Sequence, residues 1–421
     1  MDRLIFHVDV NSAFLSWEAV RQVSAGRGDL RLIPSAIGGD RDKRTGVILA
    51  KSIPAKKRGI RTGEPVAMAL RKCPELVLAK PDFRLYERGS RAFMEICRRY
   101  APVVEKFSID ECFLDMTGTR LLYPDAVAAA TAIKNEIRDT LGFTVNVGVA
   151  GNKLLAKMAS DFEKPDRVHT LFDEEIPFKL WPLPVGDLFS VGGATAEKLK
   201  KAGIGTIGEL AGAETQLVCR LVGNKLGVQI SRYANGVDDS PVSAEREAAK
   251  CYGNSVTLEE DVTEWRAADP VLLELCDSTA SRMRADGAYC TGISVTIRFR
   301  DFKTRSHQRR LAEPTDVTDE IIETARQLIR ELWDGHTPLR LLGVTLLDVI
   351  HGGEIQLSLF PAEEKARRQK VDKTVDELRG RFGADAVVRG TSLQSKLRVG
   401  KKFKAQIELA RQNGEATEEK G

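Results

Sequence analysis

No two of the seven cysteines stand as C-x-x-C, and none has a histidine beside it at ligand spacing, so neither a zinc site nor a disulfide framework is expected. Long apolar runs are also missing: nowhere do about 18 uncharged apolar residues follow one another, which argues against a membrane-spanning helix. The opening MDRLIFHVDV has no basic segment ahead of an apolar one, so no secretory leader is expected. Together these absences predict a cytoplasmic protein with no membrane partner; a monomer is expected. Charge of one sign is not in large excess either, because 64 Lys and Arg against 60 Asp and Glu leave only +4. That total does not announce a polyanionic partner by itself.

What is present is uneven. With 421 residues, 42% of them apolar, the chain has room for several buried cores. Residues 3 to 10, RLIFHVDV, have strand composition and end on an acid, and the following S-A-F-L-S-W-E-A-V shifts to helical periodicity with Ser12 as its N-cap. Between 41 and 61, eight cations (Arg41, Lys43, Arg44, Lys51, Lys56, Lys57, Arg58 and Arg61) face one acid, Asp42, so this small segment should meet something anionic. Residues 103 to 117, VVEKFSIDECFLDMT, alternate as a hairpin does, with Asp110 and Glu111 at its middle. A helix is expected over 124 to 141 and a strand at FTVNVGVAG. The order predicts an α+β multidomain protein whose first layer is a ferredoxin-like sheet with helices on one face. Short helices and glycine turns follow from about 175. A second α/β unit is expected from about 245 to 349, with helices over 268 to 285 and 316 to 334.

Phosphoryl transfer between a hydroxyl and a nucleoside triphosphate needs a dense negative cage for two hard cations, and Asp9, Asp110 and Glu111 offer the oxygen donors that suit Mg²⁺. Spacing alone does not separate that reading from solvated strand ends, since adjacent strand residues point to opposite faces unless a bulge or a strand end intervenes. The setting does. HVDVNSAFLSWEA, KFSIDECFLDMTG and NVGVAGNKLLAKMASDFEKPD resemble, in order and spacing, the palm motifs of Y-family (lesion-bypass) DNA polymerases. Over residues 3 to 350 the resemblance implies a right hand: palm at 1–10 and 75–172, small fingers at 11–74, a helix-hairpin-helix thumb at 173–240 and an α/β little finger at 245–350. It implies that Asp9 and Asp110 ligate two Mg²⁺ ions, for which Mn²⁺ substitutes, with Glu111 and the Val10 carbonyl completing the set. Phe14 takes the place of the steric gate that rejects ribonucleotides, and Lys164 that of a lysine contacting the triphosphate. The fingers motif departs from the family pattern: its usual tyrosine is Ile53 and its usual arginine is Lys56, which keeps the charge but loses the bidentate fork. Asn11 stands where many relatives carry a second acid.

Primer-template DNA and deoxynucleoside triphosphates are the partners this implies. Leu183 to Ala211 resembles helix-hairpin-helix elements, in which glycines let backbone amides approach a DNA phosphate; Gly192, Gly193 and Lys198 are the expected contacts, and Ser190 replaces the usual first glycine. In IRFRDFKTRSHQRRL, alternation would put several of Arg298, Arg300, Lys303, Arg305, Arg309 and Arg310 on one face, a strip for a phosphate backbone. No aromatic–basic interleaving announces base stacking, so binding should follow shape and charge. Gln356-Leu357-Ser358-Leu359-Phe360 resembles the peptide by which bacterial polymerases dock on a sliding clamp, with Gln356, Leu359 and Phe360 as its anchors. The residues after it, 351–421 being one tail segment with the peptide, are expected to form a peripheral helix near 363 to 382 and a basic end. The expected activity is error-prone, template-directed DNA synthesis without proofreading. Two alternatives remain open: a non-catalytic DNA- or clamp-binding relative, and another palm-type nucleotidyl transferase or cyclase.

Overall fold

A computed structural model describes residues 3–39, 46–245, 247–352, 362–383 and 386–390, which fall into two compact units divided near residue 246. The first unit carries β1 (Ile5–Val10), α1 (Ala13–Ser24), β2 (Ser35–Gly38), β3 (Ile48–Lys51), α2 (Ile53–Lys57), α3 (Val66–Lys72) and β4 (Val77–Ala79). It continues with α4 (Phe83–Tyr100), β5 (Val103–Lys106), β6 (Glu111–Asp115), α5 (Ala126–Leu141), β7 (Val145–Ala150), α6 (Lys153–Ser160) and β8 (Val168–Leu171). Short helices then follow: α7 (Gly193–Lys201), α8 (Ile207–Gly212), α9 (Thr215–Val222) and α10 (Asn224–Ala234). Helix starts are chemically marked. The Asp125 carboxylate accepts from the amides of Val127 and Ala128 at the head of α5, and Asn152 accepts from Leu155 at the head of α6. Ser12 does stand at the N-cap of α1, but with φ 48 and no side-chain cap bond.

Five strands form one sheet in the order β5-β6-β1-β7-β8, in which β7 and β8 are parallel and the other pairs antiparallel. Period-two alternation splits β1. Phe6, Val8 and Val10 enter a core with Leu15 and Trp17 of α1, Phe93 of α4 and Ile133 of α5. Ile5, on the opposite face with His7 and Asp9, packs with Phe113 and with Leu154, Leu155 and Ala159 of α6. Helices therefore cover both faces, not one. The reason lies at Gly148 of β7: a Cβ there would stand 1.9 Å from the Ala156 carbonyl oxygen, so α6 lies directly against the strand in space that only glycine leaves. The core under α6 continues through Leu199, Ile207, Leu210, Val218 and Ile230 of the short helices.

A second sheet, β3-β2-β4, is closed by Ala55, Ile60, Val66 and Ala69 from α2, α3 and their connection. Two segments change sides relative to the sequence reading. β4, expected at the start of the palm, pairs in parallel with β2, while α1, expected in the fingers, contributes Leu15 and Trp17 to the palm core. A three-residue strand is too short to show a period, and only its pairing reveals its sheet.

The second unit consists of β9 (Tyr252–Val262), α11 (Trp265–Ala285), β10 (Ala288–Phe299), β11 (Thr304–Thr315), α12 (Thr318–Leu332), β12 (Leu339–His351) and α13 (Ala362–Phe382). Its antiparallel sheet, β11-β10-β12-β9, buries Ile293, Val295, Ile297, Leu342, Val344 and Leu346 against α11 and α12. The other face carries Ser294, Thr296 and Arg298, in register with Gln308, Ser306 and Thr304 on one side and Thr345, Gly343 and Leu341 on the other. Helix α13, expected as peripheral, is tied to α11: Arg284 pairs with Asp376 at 2.7 Å and Asp372 at 3.5 Å, and Arg379 with Asp277 at 2.7 Å. Gln356, Leu359 and Phe360, and the basic end beyond 390, lie outside the described residues. No helix among the described residues is long and apolar enough to cross a membrane.

Candidate active site and nucleic-acid surfaces

Asp9 and Glu111 are partners in the β1–β6 register, so their side chains leave the same face at the same level. Asp110 closes the turn before β6, and its carbonyl accepts from the Val10 amide at 3.0 Å, pinning that turn to the end of β1. The D-E step thus straddles a strand end: the backbone of Asp110 is brought beside the end of β1, while its own carboxylate accepts from the Ser108 hydroxyl at 2.6 Å. Two carboxylates directly opposite each other repel unless a cation stands near. Two lysines supply it: Lys164 bonds Asp9 and, at 2.8 Å, Asp161, while Lys157 on α6 bonds Glu111 at 2.5 Å.

Burial and pairing set the two carboxylates apart. Asp9 is only 7% exposed, and burial lifts it from 3.8 to about 6 in spite of Lys164. Burial also pushes Glu111 up, but hydrogen bonds from His7 and Lys157 outweigh it and hold the carboxyl at about 2. His7, two residues before Asp9 on the same face, is fully buried, and this burial lowers its pKa. Its Nε2 lies 3.2 Å from Glu111 and its Nδ1 2.8 Å from the Ser160 hydroxyl, which in turn lies 2.8 Å from the Lys157 carbonyl, so one chain of polar contacts joins Glu111, His7, Ser160 and the backbone of α6. Lys157 is held further by the rings of Phe107 (5.1 Å) and Phe189 (5.6 Å), a cation–π cage that links α6 to the segment before α7.

Motif reading missed His7, Lys157 and Ser160. The signal was available in part, since strand alternation puts His7 with Asp9 and helical spacing puts Lys157 with Ser160 three residues on. Among the described residues no three carboxylate, imidazole or thiol groups converge to hold an ion as they lie. The donor set, three carboxylates and the Val10 carbonyl, is nonetheless all hard oxygen and fits Mg²⁺.

Asn11 has a different job from the acid it replaces. Its Oδ1 accepts from the Asp166 amide at 3.0 Å and its Nδ2 donates to Asn146, whose own amide donates to the Ser160 and Glu163 carbonyls. This amide pair pins the segment bearing Lys164. Phe14 stacks on Tyr86 at 4.4 Å and 8°, with Trp17 and Phe83 around it, so its ring is fixed yet half-buried. Lys56 lies exposed on α2, whose N-cap Ser52 accepts from Ala55.

Gly192 caps α7 and Gly193 opens it; both are exposed, with open space where a Cβ would stand. Ser190 has φ 75, the left-handed conformation that the family's glycine adopts freely. Lys198 is exposed in the last turn of α7, away from that amide end. The basic strip is split: Arg298 lies on the open face, Arg305 and Arg309 alternate to the helix side, and Arg309 is bound to Glu331 and Gln327. Arg300 lies beyond the end of β10, 3.7 Å from Asp261.

Comparison with known proteins agrees with this architecture. The impB/mucB/samB family matches residues 8–161, its C-terminal domain 249–359 and its HHH motif 173–204. DNA polymerase IV of Clostridium acetobutylicum is 44% identical over 395 residues, 94% of this chain and 99% of that protein. DNA polymerase IV 1 of Bacillus subtilis is 36% identical over 93% of this chain and 94% of its own. A solved Y-family DNA polymerase chimera superposes with a TM-score of 0.73 at 23% identity, covering 83% of this chain and 100% of the chimera, and shares the fold. The chain belongs to the impB/mucB/samB family, within the Y family of DNA polymerases.

Proposed function

We propose that the chain is a translesion DNA polymerase, adding deoxynucleotides to a primer 3′-hydroxyl on a DNA template by two-metal-ion catalysis without proofreading. The observation that carries this reading is the Asp9–Glu111 register with Asp110 pinned beside Val10. Asp9, Asp110, Glu111 and the Val10 carbonyl would hold two Mg²⁺ ions, which when bound acidify the primer hydroxyl and offset charge on the transferring phosphoryl.

The protein's own groups do the rest. Asp9 and Glu111 are kept from mutual repulsion by Lys164 and Lys157 until substrate arrives. Lys164, on a flexible stem, then passes from Asp9 to the triphosphate, while His7 and Lys157 keep Glu111 ionised and aimed. Phe14, braced on Tyr86, lies under the sugar and excludes a 2′-hydroxyl; Lys56 meets the phosphates from the fingers. A fingers sheet of three short strands checks the nascent pair loosely, which supports error-prone synthesis across damaged templates.

Extension of a labelled primer with Mg²⁺ and four deoxynucleotides is the test. Extension by the native protein, lost in Asp110→Ala and Glu111→Ala, is expected; a well-folded native protein that binds DNA and extends nothing would leave a non-catalytic relative as the answer. In the same assay Phe14→Ala admits ribonucleotides, and unchanged sugar selection rejects the gate. Residues 356–360 are proposed to dock on a sliding clamp, so deleting them removes clamp stimulation and spares basal extension; stimulation that persists rejects the docking role.

A further inference from the structure

The turn between β10 and β11 is tight. The Phe302 amide donates to the Phe299 carbonyl at 3.0 Å, the Phe299 amide to Lys303 at 3.0 Å, and Asp301 accepts from the Lys303 amide at 3.0 Å. Phe302 occupies its left-handed position with φ 65, where hairpin loops of this kind normally use glycine. A bulky aromatic side chain is disfavoured there by contact with its own backbone.

The ring gains no burial in exchange, being 64% exposed. Its recorded neighbour is the guanidinium of Arg340, at the start of β12, 4.7 Å from the ring centroid. Arg340 forms no ion pair among the described residues, which leaves its N–H edge free. The turn and the strand ends beside it are rich in cations: Lys303, paired with Asp301 at 3.0 Å, and Arg300, 3.7 Å from Asp261, both stay exposed, Arg298 bonds the Thr304 hydroxyl at 2.9 Å, and Arg305 lies over Phe299 at 5.4 Å. A strained residue whose ring stays largely exposed and meets only a guanidinium points to a ligand rather than to the fold. Aromatic and basic residues do interleave here, contrary to the sequence reading, and the turn is what exposes the aromatic one.

We propose that Phe302 and Arg340 form a stacking platform for an unpaired nucleotide of DNA, the base lying on the open part of the Phe302 ring and a phosphate on the guanidinium edge of Arg340. Flanking cations select a polyanion over an apolar protein segment, and a ring can meet a base face to face only where the base is unpaired. This inference rests on the polymerase reading and adds to it a contact with single-stranded template.

The full-length protein tests it through Phe302→Gly and Phe302→Leu, using fluorescence anisotropy on a single-stranded oligonucleotide and on a duplex of the same length. Phe302→Gly relieves the backbone, so its melting midpoint is expected to rise by a few degrees while single-strand affinity falls roughly tenfold and duplex affinity changes little. Phe302→Leu, which keeps bulk but has no ring, is expected to lose the same affinity. Native single-strand affinity in both variants would overturn the platform, and so would a lower melting midpoint for Phe302→Gly, which would make the ring a structural element. If the native protein neither binds nor extends a primer-template, the polymerase reading itself falls; native extension with unaffected variants sinks the platform alone.

Discussion

Both units of the molecule are built on a largely antiparallel sheet, yet the two sheets treat charge in opposite ways. On the palm sheet both faces are covered, and acids that reach the edge must be neutralised on the spot: Lys164 meets Asp9 and Lys157 meets Glu111. On the sheet of the second unit one face is left uncovered by the helices, lined by Ser294, Thr296, Gly343 and Thr345, and among the described residues Arg298 is bonded there to a neighbouring hydroxyl. Where burial is high, charge becomes chemistry, with one carboxyl lifted and another depressed a few ångströms away. Where burial is low, charge remains a field for a partner to follow, screened and adjustable.

That contrast breaks first at its glycines. Gly148→Ala forces a Cβ to 1.9 Å from a backbone oxygen of α6, whereas Gly343→Ala brings one to 2.9 Å from the Ser255 Cβ on a neighbouring strand. The palm change is expected to cost about 3 kcal/mol or more and to carry Lys157 out of reach of Glu111, while the second-unit change costs about 1 kcal/mol. Denaturant melts of the two variants decide it, and equal losses would mean that α6 can shift without harm.

A smaller effect sharpens the same comparison through pH. Asp9 titrates near 6 when folded and near 3.8 in its reference state, so between those values the folded chain binds the extra proton. Stability should therefore be full below about 3.8 and fall as pH rises toward about 6. Glu111, held at about 2 against 4.5, works the other way: its contribution is present above 4.5 and is lost as pH drops toward 2. Melting midpoints of the metal-free protein and of Asp9→Asn, followed from pH 4 to 7, should lie nearest at pH 4 and separate as the native curve falls toward pH 6. Parallel curves would remove Asp9 from the list of perturbed groups. Arg298→Ser, on the bare sheet, should run parallel to native throughout, because arginine stays charged across this range.

How much of this was legible beforehand depends on range along the chain. β1, the 103–117 hairpin and α5 announce themselves through local period and caps, and a short register sets Asp9 opposite Glu111. Lys157 and His7 escaped because their meaning lies in contacts to Glu111 across 46 and 104 positions, which no window contains. Asn11 looked like a lost acid and is an amide latch, visible only once Asn146 and the Asp166 amide are beside it. The basic strip divides for a plainer reason: alternation sets Arg298 and Arg310 on one face and Arg305 and Arg309 on the other, where Gln327 and Glu331 of α12 engage Arg309. Phe302 was hidden by its backbone angle, which sequence does not print.

The tail helix has a consequence for the history of the chain. Arg284 is 5% exposed and reaches Asp372 and Asp376 only because α13 lies on top of it. Such an appendage is easily gained while its partner is still a surface cation, and discarding it would return the guanidinium to solvent but break the pairs with Asp372 and Asp376 and the pair of Arg379 with Asp277. An extension of this kind works as a clasp: it is held on α11 by a few shared charges and comes away at the cost of those pairs.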